Sequence, residues 1–110
     1  MEISVKQLNR VDLVTVEGRI DGSTAPEFGD VLNARIDQGT HNLVVNLASV
    51  DYMSSAGLRE LVAALKRVKT AGGDVRLATP SERVSEVLEL AGLNSIFRIF
   101  TDEVEAVGSF

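Results

Sequence analysis

A chain of 110 residues can build one domain with a real core but not two, and 45% hydrophobic with 25% charged residues is ordinary for a globular protein. The net charge of −5 argues against nucleic acid or an anionic membrane as the main partner, since both need a concentrated basic face. The absence of cysteine excludes disulfides, thiolate metal sites and thiol catalysis, and no apolar stretch approaches the roughly 20 residues of a membrane span, so a cytoplasmic protein is expected.

Ile3 and Val5 alternate with Glu2, Ser4 and Lys6, as on a strand with one wet face. Asn9-Arg10 offers a turn, and the β-branched run 11–17 completes a hairpin expected to end at Gly18. Thr24-Ala-Pro-Glu27 has the spacing of a capping box with proline in the first turn. Phe28, Val31, Leu32 and Ile36 follow at helical spacing, with Gly39 as the stop. The apolar centre of residues 42–47 suits a strand buried on both faces. Residues 48–53 read as a crossover, and a helix is expected to begin at or near Ser54 or Ser55, with Leu58, Leu61, Val62, Leu65 and Val68 on one face. Lys66, Arg67 and Lys69 crowd its C-terminal end, where cations complement the helix dipole, before Gly72-Gly73. Residues 74–78 form a further strand. Thr79-Pro-Ser-Glu82 repeats the capping-box spacing ahead of a helix with Val84, Val87, Leu88 and Ala91 as its buried stripe and Gly92 as its stop. Residues 96–100 read as a last strand or extended segment, and 102–107 as a short terminal helix.

The strand–helix alternation implies right-handed crossovers and one α/β domain over residues 1–110. Its single mixed, mostly parallel sheet should hold about four to five strands, with an N-terminal antiparallel hairpin, packed by about four helices.

That topology puts Tyr52-Met-Ser-Ser-Ala-Gly-Leu58 beyond the carboxyl end of a strand, where open α/β sheets carry their functional crevice. A serine there can cap the helix, act as a nucleophile or accept a phosphate. A cap is worth about 1 kcal/mol and needs only one of the two serines. The small Ala56 and Gly57 leave the backbone open beside them. A nucleophile needs a base, but the lone His41 precedes a strand, at the opposite end of the sheet, and reads as a solvated loop residue. No G-x-S-x-G elbow is present either, so serine hydrolysis is disfavoured. Asp51 reads as a turn former beside the serines. No Walker loop exists, and the two glycines of Gly18-Arg-Ile-Asp-Gly22 make a weak nucleotide fingerprint.

Asn46 to Leu58, NLASVDYMSSAGL, resembles the strand, D/N-L-x-x-V-x-[FYH]-[hydrophobic]-[DS]-S-[STA]-G-L loop and helix of the STAS family, specifically the bacterial anti-sigma factor antagonists. Gly18-Arg-Ile-Asp21, Ala91-Gly-Leu93 and Ile96-Phe97 add support, so the resemblance covers nearly the whole chain. It implies the STAS fold, no catalytic activity, no cofactor or metal, and a phosphorylation switch. In such proteins the unphosphorylated form binds an anti-sigma factor that is also a serine protein kinase of the histidine-kinase-like ATPase type, and a metal-dependent serine phosphatase reverses the modification. Carried over by position, the acceptor is Ser55, with Ser54 as runner-up; Ser54 falls where many members have aspartate. The partner-binding surface would comprise Asp21, Ser23, Thr24, Asp51, Met53, Ser54, Ser55, Ala56, Gly57 and Arg59, with Glu60 a further exposed candidate. Nucleic acid and membrane are not expected partners, and the free protein should be a monomer. The alternative is a STAS subunit of a larger assembly, a transporter accessory or stressosome-like scaffold, in which Ser55 is only a cap. Nucleotide binding in the same crevice has the least support.

Overall fold

A single five-stranded sheet in the order β1-β2-β3-β4-β5 organises the computed structural model, which spans residues 1–110. β1 (Glu2–Gln7) and β2 (Asp12–Ile20) form the antiparallel hairpin, and β3 (Asn42–Met53), β4 (Asp74–Ala78) and β5 (Ile99–Phe100) continue parallel to β2. α1 (Ala25–Asp37), α2 (Ser55–Lys69) and α3 (Glu82–Leu90) connect the parallel strands, and α4 (Glu103–Gly108) ends the chain. The expected α/β class, hairpin and four helices are all present.

Strands that follow one another in space with crossovers of one hand place every connecting helix on the same side of the sheet. That side holds the main core, where Val14, Val45, Leu47 and Leu77 of the sheet meet Phe28, Leu61 and Leu88 of the three helices. The opposite face is covered only by α4, whose Ala106 closes a small cluster with Val11, Leu13, Val44 and Ala78. No helix is long and apolar enough to cross a membrane.

Charges pin the end of the sheet far from the serines. Asp12 is 4% exposed, and its Oδ2 accepts from Arg35 Nε at 2.7 Å and from Thr40 Oγ1 at 3.0 Å. Arg67, in contrast, meets Asp37 at 2.8 Å in open solvent between the ends of α2 and α1.

Several boundaries differ from the sequence reading. β2 does not end at Gly18 but runs to Ile20, through register shifts between Thr15 and Glu17 and between Gly18 and Arg19. Gly18, at φ +99, supplies the positive φ of the bulged segment. Its partner lengthens with it: residues 48–53 are not a crossover but the second half of β3, pairing Arg19 with Tyr52 and Ile20 with Met53. Asp51 is therefore a strand residue rather than a turn former. The segment looks loop-like because Ser49 and Asp51 face water while Val50 and Met53 are buried.

Neither capping box forms as spaced. Thr24 does not cap α1 with its side chain: its Oγ1 instead donates to Arg19 O and accepts from Asp21 N, both at 2.9 Å. α3 is capped by Ser81, whose Oγ accepts from Val84 N at 3.3 Å, while Thr79 takes a φ of +46 two residues earlier. Ala91 lies past the end of α3 and is exposed, not part of its buried stripe. In the last segment Leu93–Ser95 forms a 3-10 turn, and only Ile99–Phe100 pairs with β4.

Candidate functional site

The extensions of β2 and β3 bring the site together. Ser54 N donates to Ile20 O at 2.8 Å, so the first turn of α2 starts against the end of β2 and beside the 21–24 loop. His41, just before β3, lies at the other end of that strand, as the sequence indicated.

The two serines divide the work. Ser54 is extended (φ −85, ψ 170) and its Oγ accepts from Gly57 N at 3.3 Å, the geometry of an N-cap. Ser55 is the first residue of the helix proper, is exposed, and its hydroxyl has no hydrogen-bond partner within the protein. It is therefore not hydrogen-bonded to a base of the chain, as an activated nucleophile would be.

Beneath the serines the packing is tight. A Cβ on Gly57 would approach Ile20 Cγ2 to 2.7 Å and Met53 Cγ to 3.1 Å, so only glycine lets α2 sit this close to the strand ends. Met53 is 2% exposed and Gly57 is buried. Both support the loop from below and offer no side chain to a partner. Ala56 is half-buried against the core. Glu60 is committed as well, because its carboxylate lies over Gly29 of α1, where a methyl group would collide with it. Of the residues named from the sequence, Ser23, Asp51, Ser55 and Arg59 are exposed, and Asp21, Thr24 and Ser54 are half-buried.

Asp21 organises the neighbouring loop. Its Oδ1 accepts from Ser23 Oγ at 2.7 Å, Ser23 N at 2.9 Å and Thr24 N at 3.2 Å. These bonds, led by the Ser23 hydroxyl, favour the ionised form and hold the carboxyl below its usual range. Arg19 and Tyr52, which the sequence did not single out, belong here too. The guanidinium of Arg19 lies 4.4 Å from the Tyr52 ring centroid, and its Nε is 3.8 Å from Asp21 Oδ2. Their pairing appears only once β2 is known to continue past Gly18 and β3 past Leu47.

An apolar groove runs from Ser55 along the outer flank of α2. Leu58, Val62 and Ala63 form one wall, Ala91 and Leu93 the other, and Arg59 and Lys66 stand at its edge. Neither cation takes part in an ion pair. On the other side of the strand ends, a polar depression holds Arg19, Asp51, Glu82 and Arg83. Acids stand among its arginines, unlike the backbone-lined cradle of a phosphate loop.

Comparison with known proteins agrees with this fold. The STAS domain family pattern matches residues 2–106. The anti-sigma-B factor antagonist of Staphylococcus epidermidis is 32% identical over 101 residues, which is 90% of this chain and 94% of that protein. The crystal structure of a candidate anti-sigma factor antagonist from Thermotoga maritima superposes with a TM-score of 0.91 at 25% identity, covering 97% of this chain and 92% of that one. The Bacillus cell fate determinant SpoIIAA, in its phosphorylated form, shares the fold with a TM-score of 0.78 at 18% identity, covering 98% of each chain.

Proposed function

The chain belongs to the STAS domain family, and from that membership we propose that it is a cytoplasmic anti-sigma factor antagonist switched by phosphorylation of Ser55. One observation carries the assignment of the residue: Ser54 satisfies the helix cap, which leaves the Ser55 hydroxyl exposed and uncommitted. The names of the relatives, antagonists of anti-sigma factors, support the partner class.

In the unmodified state the protein docks on an anti-sigma factor that is also a serine kinase of the histidine-kinase-like ATPase type, and the sigma factor is released. The docking face comprises the 21–24 loop, the start of α2 and the groove behind it. The kinase transfers the γ-phosphoryl group of ATP to Ser55 Oγ, the hydroxyl proton passes to a base of the kinase, and ADP leaves. A metal-dependent serine phosphatase hydrolyses the ester and restores the hydroxyl.

The energetics favour a switch that acts on binding rather than on folding. A phosphoserine carries about −1.5 to −2 charges at pH 7. At the first turn of a helix such charge is stabilising by roughly 0.3–1 kcal/mol, so the domain survives it. A partner that covers the loop has to strip water from a dianion, at a cost of several kcal/mol. Each ~1.4 kcal/mol is a factor of ten in affinity.

Peptide mass spectrometry of the protein from its own cells under two growth conditions tests the assignment. Phosphate on Ser55 that changes with condition is the expected result. A peptide never modified across several stresses overturns the switch and favours a STAS subunit of a larger assembly. Once the kinase is in hand, Ser55→Ala should bind it persistently and Ser55→Asp at least about tenfold more weakly. Equal affinities would contradict the mechanism.

A further inference from the structure

The switch proposed above leaves one residue unexplained. Arg59 is exposed, forms no ion pair, and stands at the head of the groove beside Ser55. It follows Ser55 by four residues on α2, so the two side chains lie one above the other on the same helical face. An acid preceding a base by four residues is also the favourable order for such a pair.

Resting on phosphorylation of Ser55, we propose that Arg59 is the receptor for that phosphate within the chain itself. The guanidinium folds back one turn and holds the phosphate oxygens through paired N–H donors, a geometry arginine is built for. Phosphorylation then acts on the docking face in two ways: it adds negative charge at Ser55, and it withdraws Arg59 from the rim of the groove.

No acidic residue lines the groove to compete for Arg59. The first turn of α2 holds no acidic residue. Glu60 is turned onto Gly29 of α1. In the β2–α1 loop, Asp21 is engaged by Ser23, Thr24 and the more distant Arg19. Asp51, at the end of β3, is exposed and unpaired, and contributes only repulsion toward a phosphate. The 3-10 turn and the end of α3 bring Leu93 and Ala91 to the groove, which carry no charge. Lys66 lies two further turns along α2, out of reach of residue 55.

The test installs phosphoserine at position 55 during translation, so that no kinase is needed, and follows the phosphorus NMR shift with pH. The second ionisation of the phosphate should fall below its ordinary value of about 6. Arg59→Gln should raise the midpoint by a few tenths of a pH unit, about what an i,i+4 ion pair supplies. Arg59→Lys should recover part of the shift, and Lys66→Gln should leave it unchanged. Because Arg59 is exposed and unpaired, the variants should fold like the parent, and the difference between them subtracts the effect of the helix end. A midpoint that Arg59→Gln does not move, or that Lys66→Gln moves equally, overturns the proposal. Absence of Ser55 phosphate in cells would refute the switch alone, since the titration uses phosphate installed without a kinase.

Discussion

The amide of Ser54 donates to the carbonyl of Ile20 across 2.8 Å, joining the start of α2 to the end of β2. The same two elements touch again three residues on, where Gly57 leaves no room for a Cβ against the Ile20 side chain. A hydroxyl at position 55 is thus presented from a hydrogen-bonded, tightly packed corner of the fold.

The division of labour between the serines predicts opposite stability effects from two adjacent alanine substitutions. Ser54→Ala removes the acceptor for Gly57 N and should cost about 1 kcal/mol, the usual value of a lost cap. Ser55→Ala removes a hydroxyl with no partner and should change stability by less than about 0.5 kcal/mol. Urea unfolding of both variants decides it, and equal losses would mean that the cap has been assigned to the wrong serine.

Gly57→Ala should destabilise the protein even though alanine is the better helix former. The added methyl has to displace Ile20 and Met53, both at most 2% exposed. Overpacking of this kind costs roughly 1–3 kcal/mol, more than the ~1 kcal/mol gained in helix propensity. A variant with an unchanged or raised unfolding midpoint would show that the corner is looser than described.

The acidic partners of two arginines should respond very differently to alanine. Asp12 is buried beneath Arg35 and Thr40, so Asp12→Ala leaves a mostly buried guanidinium without its counter-ion and should cost about 3 kcal/mol. The Asp37 side chain is 67% exposed beside Arg67, and Asp37→Ala should cost under about 1 kcal/mol. Thermal unfolding of both variants checks the ranking, and similar losses would contradict it.

Asp21 adds a defined pH dependence. Its carboxyl is held below the usual range by the Ser23 and Thr24 donors, so the folded state binds its proton less readily than the unfolded chain. The contribution is therefore fully present above the unfolded value of about 4 and is lost as pH falls through the folded one. A carbon-NMR titration should place the Asp21 midpoint below those of ordinary aspartates, and Asp21→Asn should flatten the acid limb of the stability curve. A midpoint in the ordinary range would show that the 21–24 loop does not hold its hydrogen bonds in solution.

Local signals determined much of this molecule. The alternation of Ile3 and Val5, the helical spacing of Phe28, Leu32 and Ile36, and the stripe of Leu58, Leu61, Leu65 and Val68 each depend on residues within a few turns, and so define their elements without reference to the rest of the chain. Together with the loop around Ser55, they were enough for the α/β class and the family. Pairing and packing between distant segments decided the rest. The continuation of β2 and β3 depends on a bulge at Gly18 and a parallel partner some 30 residues away, and a half-exposed strand such as residues 48–53 looks locally like a loop. Which serine caps α2 and which stays free is set by Ile20 and by the backbone angles at residue 54. Met53 could not be told from a surface contact until the fold buried it, and Ala91 and Leu93 meet α2 only because the chain returns after β4. A short stretch of sequence carries its own periodicity and capping potential, but burial and contact depend on what the rest of the chain places against it.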